Sequence, residues 1–366
     1  MATATARKLE FSTTLSQNPV AAQRRAEILA NPGFGTSFTD HMVTATWTSE
    51  AGWHDAGLRA YAPLSLDPAT AVLHYAQAIF EGLKAYRHDD GSIWAFRPEA
   101  NGARFVRSAR RMALPEFPVE SFVDAIDLLV RTDAEWVPSG GETSLYLRPF
   151  MFASEVFLGV RPANEVLFCL IASPAGAYFT SGVKPVDIWL STEYTRAAPG
   201  GTGAAKCAGN YAASLVAQQQ AIEHGCAQVC FLDAAERKWV EELGGMNLYF
   251  VRSDGSITTP ELTGTILEGI TRESIITLAG DLGYKVEERP VSIDEWREGV
   301  ASGEITEVFA CGTAAVITPL GRLVWDGGEL SMGTEPGPAT KDIRQALLDV
   351  QYGRGDDVHG WMHRIV

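Results

Sequence analysis

The chain has 366 residues, of which 46% are hydrophobic and 20% are charged, and its mean hydropathy is −0.02. This composition predicts a globular protein of about two domains and argues against a disordered, collagen-like or coiled-coil chain. The formal net charge of −15 would repel nucleic acids and anionic lipids, so neither is an expected partner.

Export and membrane insertion are also disfavoured. The sequence has no run of about 18 apolar residues, and its first residues lack the apolar core of a signal peptide. The cysteines are odd in number and form no paired C-x-x-C motif, so neither a disulfide framework nor a metal site is expected. They are Cys169, Cys207, Cys226, Cys230 and Cys311. We expect them to be small buried side chains in a cytoplasmic protein.

The first half of the chain alternates between strand-like and helix-like patterns. Residues 1–40 are predicted to be irregular. Predicted strands cover residues 38–47, 53–63, 93–96, 145–153 and 165–173. Predicted helices cover residues 68–86, 101–112 and 119–136.

Small and kinking residues concentrate at Ser173–Ala177, where we predict a domain boundary. Beyond it, predicted strands cover residues 186–190, 228–233, 239–242, 248–252 and 257–259, with a strand-rich stretch at 306–320. Predicted helices cover residues 210–224, 271–280 and 341–352. The mixture predicts an α+β fold with helices packed on antiparallel-rich sheets.

The most informative stretch is residues 196–211. It is glycine-rich and contains Lys206 among small side chains. A phosphate-binding P-loop needs glycine before the lysine and a hydroxyl residue after it, but Ala205 and Cys207 stand there. The dinucleotide pattern G-x-G-x-x-G is also absent. Because burial lowers the pKa of an amine and makes it nucleophilic, the stretch suits a Schiff base with the aldehyde of pyridoxal phosphate. The alternative is a solvated surface lysine on a glycine-rich loop.

Three later segments supply groups that such a cofactor needs. Glu242 ends a predicted strand and could pair with the pyridine nitrogen. Residues 268–272 begin a predicted helix, whose free backbone N–H groups favour a phosphate. Residues 310–315 form a small-residue turn with a hydroxyl. Each also has an ordinary structural explanation, and their order and joint presence favour the cofactor site.

With these residues in view, the sequence closely resembles the branched-chain amino acid aminotransferases, a family of fold-type-IV pyridoxal phosphate enzymes. The matching blocks are residues 34–41, 73–84, 144–149, 200–211, 242–247, 312–314 and 351–353. The resemblance implies a smaller N-terminal α/β domain over residues 1–175 and an interdomain loop over 176–186. It also implies a larger cofactor-binding domain over 187–366 with antiparallel-rich, barrel-like β-structure.

The resemblance assigns cofactor roles to individual residues. Lys206 matches the Schiff-base lysine and general base, Glu242 the partner of the pyridine nitrogen, and Tyr211 the phenol that hydrogen-bonds the cofactor O3′. The residues that match the phosphate-binding set are Arg104, Ile270, Thr271 and Thr313.

Substrate roles follow in the same way. Tyr75 and the Thr313–Ala314 turn match the groups that receive the substrate carboxylate. The residues that match the substrate pocket and its loop are Phe34, Tyr146, Arg148 and Tyr178, with Tyr146 and Arg148 near a dimer interface. The alternatives are a structural ion pair for Arg148 and ordinary core packing for Phe34 and Tyr178.

The sequence departs from the family pattern in two places. Mammalian members carry a redox C-x-x-C motif where this chain has Ala315–Thr318, so no thiol switch is expected there. Gly245 stands where those relatives have threonine, so one hydroxyl near the cofactor is missing.

The function implied by the resemblance is ping-pong transamination between L-leucine, L-isoleucine or L-valine and 2-oxoglutarate in a cytoplasmic homodimer. Either biosynthesis or degradation of these amino acids is compatible with the sequence. The alternatives are a D-amino acid transaminase, a lyase acting on aminodeoxychorismate, and a binding protein without catalytic activity. The presence of Lys206, Tyr211 and Glu242 argues against the last.

Overall fold

The computed structural model describes residues 8–176 and 183–366. Among these residues the chain forms two compact units. Unit 1 comprises residues 8–176, 205–209 and 350–366, and unit 2 comprises residues 183–204 and 210–349. Strands and helices are numbered below in chain order through both units.

Unit 1 is built on a nine-stranded sheet in which the strand order is β1-β3-β2-β8-β7-β5-β6-β18, with β4 paired to β7. Its strands are β1 Ser12–Thr13, β2 His41–Thr48, β3 Gly52–Ala60, β4 Ala78–Phe80, β5 Leu83–Arg87, β6 Ile93–Phe96, β7 Ser144–Ala153, β8 Glu165–Ala175 and β18 Met362–Arg364. All pairs are antiparallel except β1 with β3.

The helices of unit 1 cover one hydrophobic core. They are α1 Ala22–Ala30, α2 Val72–Tyr75, α3 Pro98–Arg111, α4 Val119–Thr132 and a 3₁₀ turn at Ala134–Trp136. Helix α3 starts with proline, whose missing N–H costs nothing in the first turn. Phe105 of α3 packs against Phe122 of α4 and Phe168 of β8, with ring centroids 5.5 and 6.0 Å apart. These contacts anchor α3 on the sheet.

Unit 2 contains a second nine-stranded sheet, ordered β11-β10-β9-β16-β15-β12-β13-β14, with β17 paired to β16. Its strands are β9 Val186–Ser191, β10 Gln228–Leu232, β11 Val240–Leu243, β12 Asn247–Arg252, β13 Ile257–Thr259, β14 Val286–Glu288, β15 Ile305–Gly312, β16 Val316–Trp325 and β17 Gly328–Ser331. The remaining helices are α5 Ala208–Glu223, α6 Ile270–Asp281, α7 Ile293–Ser302 and α8 Pro338–Gln351. Sheets with mainly antiparallel neighbours and packed helices confirm the predicted α+β class.

The predicted helix over residues 68–86 is wrong. Only α2 is helical, because Ala76 adopts a left-handed backbone with φ of +49° and ends the turn. The chain then pairs with β7 as β4 and β5. Pairing with a strand distant in sequence overrides local periodicity there, since it satisfies the backbone and buries Ile79 and Leu83 at the same time.

Two helices were missed by the sequence analysis. Residues Ala22–Ala30 form α1 within the stretch predicted to be irregular, and none of its residues is buried. Helix α7 begins after the N-cap Ser292, whose side chain accepts a hydrogen bond from the Glu295 backbone N–H. That S-x-x-E signal is readable from the sequence.

All five cysteines are free thiols and buried, as expected. Burial raises the pKa of Cys169 to about 12 and also raises the pKa values of Cys230 and Cys311. These thiols are therefore protonated and unreactive at neutral pH. Within the described residues, every helix is too short or too polar to cross a bilayer.

Candidate active site

Lys206 is held by its main chain in unit 1. Its backbone N–H donates to Ser108 Oγ on α3 at 3.0 Å, and its carbonyl accepts from the N–H of Phe80 on β4 at 3.0 Å. The next residue, Cys207, forms a β-bridge with Ile79. The half-buried side chain places Nζ 4.8 Å from the centroid of the Phe80 ring. The base of this side chain is thus tied to two elements, which limits where the amine can reach.

Phe80 also links Lys206 to three of the predicted substrate residues. The Arg148 guanidinium lies 4.8 Å from the Phe80 ring centroid and donates through Nη2 to the Tyr146 hydroxyl at 2.9 Å. The Tyr146 ring meets Phe34 edge-on, with centroids 5.0 Å apart. We call Phe34, Phe80, Tyr146 and Arg148 the aromatic–arginine cluster. Tyr146 and Arg148 share one face of β7 because they are two residues apart on a strand.

The cluster offers both apolar walls and a cation. Arg148 Nε is buried and has no hydrogen-bond partner among the described residues. Phe34 has 50% of its surface exposed, so it is not a core residue. Arg148 contacts the phenol of Tyr146 and the face of the Phe80 ring. Within the described part of the chain, these contacts stand where the alternative prediction expected a structural ion pair.

Gly82 makes room for Tyr146. A Cβ atom at position 82 would lie 2.1 Å from the Tyr146 hydroxyl oxygen and 3.0 Å from its Cζ. No real side chain approaches that closely, so only glycine permits this position of the phenol. Sequence analysis missed this role, although the glycine lies in one of the blocks that carry the resemblance.

Arg104 forms a buried ion pair with Glu81. Its Nε donates to Glu81 Oε1 at 2.7 Å and its Nη2 to Oε2 at 2.8 Å, and the two side chains are 4% and 0% exposed. This two-point contact fixes the guanidinium plane on α3. The carboxylate of Glu81 is a second residue that sequence analysis missed.

The other substrate residues predicted for unit 1 are less connected. Tyr75 ends α2, is 40% exposed, and donates its hydroxyl hydrogen bond to the carbonyl of Leu158. That bond points to a loop rather than to the aromatic–arginine cluster. Tyr178 lies outside the described residues.

In unit 2, Glu242 is buried on β11 and has a cationic partner. Its Oε1 accepts from the Leu267 N–H at 2.8 Å and lies 3.0 Å from Arg196 Nε. The side chains of Arg196 and Glu242 are only 3% and 2% exposed. Arg196 Nη1 also donates to the carbonyls of Thr265 at 2.7 Å and Gly203 at 3.2 Å. One guanidinium thus joins the glycine-rich segment, β11 and the loop before α6.

The glycine-rich segment has a structural reason of its own. A Cβ at Gly203 would lie 2.3 Å from the Thr265 carbonyl oxygen and 2.6 Å from its Cα. The small residue at 203 therefore allows two backbones to touch. Sequence analysis interpreted the small residues here as the surroundings of a reactive lysine, and it gave no role to Arg196, which lies a few residues before the glycines.

The N-terminus of α6 is a second organised feature of unit 2. Ile270 and Thr271 are its first residues, both buried, and the N-cap Gly269 provides no side-chain cap. Asn247 Nδ2 donates to the carbonyl of Leu267 at 3.1 Å, and a Cβ at Gly269 would lie 2.1 Å from Asn247 Oδ1. A helix start of this kind presents backbone N–H groups to an anion.

Tyr211, Thr313 and Ala314 complete the predicted set. Tyr211 lies on α5 and is half-buried, and a Cβ at Gly245 would be 3.8 Å from its Cε1, at ordinary contact distance. Thr313 and Ala314 form the half-buried turn between β15 and β16. The missing hydroxyl at 245 therefore leaves open space beside the phenol rather than a collapsed backbone.

Comparison with known proteins places this arrangement in a family. The model of the family described as "Amino-transferase class IV" matches residues 78–323. The chain belongs to the class IV aminotransferases. It is 63% identical over 352 residues to the probable branched-chain-amino-acid aminotransferase of Streptomyces coelicolor, covering 96% of this chain and 97% of that protein. The branched-chain-amino-acid aminotransferase of Mycolicibacterium smegmatis is 56% identical, with 98% of each chain covered.

Solved structures agree with this placement. The branched-chain amino acid aminotransferase of Escherichia coli superposes with a TM-score of 0.73 at 30% identity, covering 88% of this chain and 99% of that chain. The branched-chain amino acid aminotransferase of Thermobaculum terrenum, solved in its PLP-form, superposes with a TM-score of 0.68 at 26% identity and covers 88% of this chain and 98% of that one. The predicted fold type is thereby confirmed.

The donor set of this class IV aminotransferase fits a pyridoxal phosphate group. Among the residues that the resemblance assigned to the cofactor, Lys206 has an amine that would suit an aldehyde, Tyr211 has a phenol, and Glu242 has a buried carboxylate that would suit a protonated ring nitrogen. The start of α6, without a side-chain cap, suits a phosphate. Amine, phenol, carboxylate and anion site together are the groups that such a cofactor needs.

Proposed function

We propose that this aminotransferase moves an amino group between L-leucine, L-isoleucine or L-valine and 2-oxoglutarate by a ping-pong mechanism with pyridoxal 5'-phosphate. The observation that carries the proposal is the aromatic–arginine cluster joined through Phe80 to Lys206, since it combines apolar walls, a cation and an amine. Relatives described as branched-chain-amino-acid aminotransferases, or as probable ones, are 53–63% identical over 96–99% of this chain and support the substrate class.

The cofactor would be held by residues whose chemistry suits each of its parts. Ile270 and Thr271 at the start of α6, with Arg104 and Thr313, would bind its phosphate. Tyr211 would donate its phenol hydrogen bond to O3′. When bound, the cofactor supplies an aldehyde that takes up the amino group and a ring that withdraws electrons from the substrate Cα.

Two residues of the chain would control protons. Lys206, as a free amine, would remove the proton from the substrate Cα and return it two atoms away, in a 1,3-proton shift. Glu242 would keep the proton on the ring nitrogen, and Arg196 keeps that carboxylate paired and oriented. Because the first 2-oxo acid leaves before the second binds, the kinetics should be ping-pong.

The aromatic–arginine cluster would accept two kinds of side chain. Phe34, Phe80 and Tyr146 would pack on a branched aliphatic group, and Arg148 would pair with the distal carboxylate of glutamate or 2-oxoglutarate. Tyr75 and the Thr313–Ala314 turn would receive the substrate α-carboxylate. Tyr178 would contribute to the pocket from the interdomain loop. An apolar pocket separates substrates that differ by one methylene by only about 1–3 kcal/mol, so overlapping activity on the three amino acids is expected.

We also propose the wider organisation that goes with this function. Residues 1–175 would form the N-terminal domain, 176–186 the interdomain loop, and 187–366 the cofactor-binding domain. The protein would act in the cytoplasm as a homodimer, with Tyr146 and Arg148 near the interface. Its partners would be branched-chain L-amino acids, their 2-oxo acids, glutamate and 2-oxoglutarate.

The test is a transamination assay with the purified protein reconstituted with pyridoxal phosphate. We expect turnover of L-leucine with 2-oxoglutarate and none with D-alanine or aminodeoxychorismate. Lys206→Ala should abolish turnover, and borohydride should no longer fix the cofactor covalently to the protein. The control Lys341→Ala, at an exposed position of α8, should retain both turnover and covalent fixation. Turnover of D-alanine instead of L-leucine would contradict the proposal.

A further inference from the structure

Ser108 is a fully buried serine inside helix α3, which runs from Pro98 to Arg111. Its Oγ accepts a hydrogen bond from the backbone N–H of Lys206 at 3.0 Å. Serine is a poorer helix former than alanine, because its hydroxyl competes with the backbone for hydrogen bonds. Helix formation therefore gives no reason for a serine at this position, whereas the contact with Lys206 does.

The N–H of Lys206 lies where water has little access. The neighbouring residues Ala205 and Cys207 are both buried and belong to the hydrophobic core of unit 1. A buried N–H that loses its acceptor is not compensated by water, so the main chain would have to move to find another acceptor. The Ser108 hydroxyl thus fixes the main chain at the base of the Lys206 side chain.

Helix α3 also holds the guanidinium of Arg104, one helical turn before Ser108. Arg104 donates to both carboxylate oxygens of Glu81. The preceding residue, Phe80, donates its backbone N–H to the carbonyl of Lys206 at 3.0 Å. These contacts close a ring that passes through Ser108, Lys206, Phe80, Glu81 and Arg104 and returns along α3. Because four helical residues span about 6 Å, the helix sets the spacing between the two ends of the ring.

We propose that Ser108 is a positioning residue of the cofactor site, which holds the main chain of Lys206 so that Nζ reaches the aldehyde of pyridoxal phosphate. In this condensation the amine nitrogen bonds to the aldehyde carbon, and the aldehyde oxygen leaves as water. Ser108 acts through Lys206 and touches no reacting atom. The inference rests on the cofactor chemistry of the proposed function and is independent of which amino acid is the substrate.

The test compares two ligands of the full-length protein after removal of the cofactor. Pyridoxal 5'-phosphate condenses with Lys206, whereas 4'-deoxypyridoxine 5'-phosphate has the same ring and phosphate but no aldehyde. We expect Ser108→Ala to weaken binding of the first ligand by about fivefold or more, since the amine is held less often in the reactive position. Binding of the second should change by less than about twofold, because Arg104 keeps its contacts with Glu81. Spectrophotometric titration measures both dissociation constants.

Ser121→Ala is the matched control in the same unit. Ser121 is a fully buried serine of α4, and its Oγ accepts a hydrogen bond from the backbone N–H of Leu9 at 2.9 Å. Both variants lose the same kind of hydrogen bond, so both should lower Tm, but Ser121→Ala should leave both dissociation constants within about twofold of the wild type. If Ser108→Ala weakens the two ligands equally, or weakens neither, the positioning role is refuted.

A second variant keeps the test decisive where Ser108→Ala does not fold. Ser108→Cys replaces the hydroxyl with a thiol, which fills the same space and is a weaker acceptor. We expect it to weaken pyridoxal 5'-phosphate by about threefold or more relative to the deoxy ligand. In that case an unchanged ratio of the two dissociation constants would overturn the proposal.

The outcomes separate this inference from the proposed function. If the wild type transaminates L-leucine and Ser108→Ala binds both ligands as the wild type does, only the role of Ser108 is overturned. If Ser108→Ala selectively loses pyridoxal 5'-phosphate but the wild type fails to transaminate L-leucine, only the proposed function is overturned.

Discussion

Replacing Arg196 with methionine would remove the guanidinium that pairs with the buried Glu242 while keeping a side chain of similar length. In the native structure Arg196 Nε lies 3.0 Å from Glu242 Oε1, and neither side chain is more than 3% exposed. The Leu267 N–H would remain as a donor to the same oxygen. The variant therefore leaves a buried carboxylate with its counter-charge removed.

The expected cost is large because the pair is dry. Removing one partner of a buried ion pair costs about 3–5 kcal/mol, and the remaining Leu267 N–H places Arg196→Met near about 3 kcal/mol. For a unit of about 150–250 residues, 1 kcal/mol corresponds to about 2–4 °C in Tm, so we expect a decrease of about 6–12 °C. The assay is thermal unfolding of the protein without cofactor, followed by circular dichroism.

Arg322→Met is the matched control in the same unit. Arg322 pairs with Asp187 at 2.7 Å, but these side chains are 42% and 28% exposed, so the loss should be below about 1 kcal/mol. Saturation with pyridoxal phosphate should restore part of the stability of Arg196→Met, because a protonated ring nitrogen would give Glu242 a new cationic partner. A decrease in Tm no larger than that of Arg322→Met would refute the reasoning.

Further predictions concern glycines at the candidate site. Gly82→Ala should displace the phenol of Tyr146 from Arg148. Because a hydrogen bond to a charged group is then lost, kcat/KM for L-leucine should fall by about tenfold or more. Unchanged kinetics would contradict the assigned contact. Gly203→Ala should weaken cofactor binding by about tenfold or more, because its Cβ meets the backbone of Thr265. Gly209→Ala is the control, since its Cβ meets nothing within 4 Å, and it should bind the cofactor normally. A spectrophotometric titration with the cofactor measures both. Gly245→Thr should be accommodated beside the neighbouring tyrosine, with kcat within about threefold of the wild type, and a loss above about tenfold would show that the space is needed.

Several elements could be read directly from local patterns. Helices α3 and α4 were predicted within a few residues of their observed bounds, since a repeating apolar face is a signal contained in the segment itself. The prediction began α3 at residue 101 and did not use Pro98, which starts the helix. Strand β11, which carries Glu242, was also predicted correctly. By contrast, the stretch 68–86 carries an apolar pattern that suits either a helix or paired strands, and only the presence of β7 decides between them.

The sequence by itself determined which chemical groups this protein has and their order along the chain. An amine among small residues, a strand-terminal acid, a helix start and a small-residue turn with a hydroxyl together favoured a pyridoxal phosphate site, because each is a property of a short segment. The resemblance of the matching blocks then identified the family. The tertiary structure decided which groups control them. Glu81 and Arg104 are 23 residues apart, and Arg196 and Thr265 are 69 apart, so no local window contains both partners. Such pairs form only when the packed fold excludes water from around them, and this is why the roles of Glu81 and Arg196 emerged from the folded chain alone.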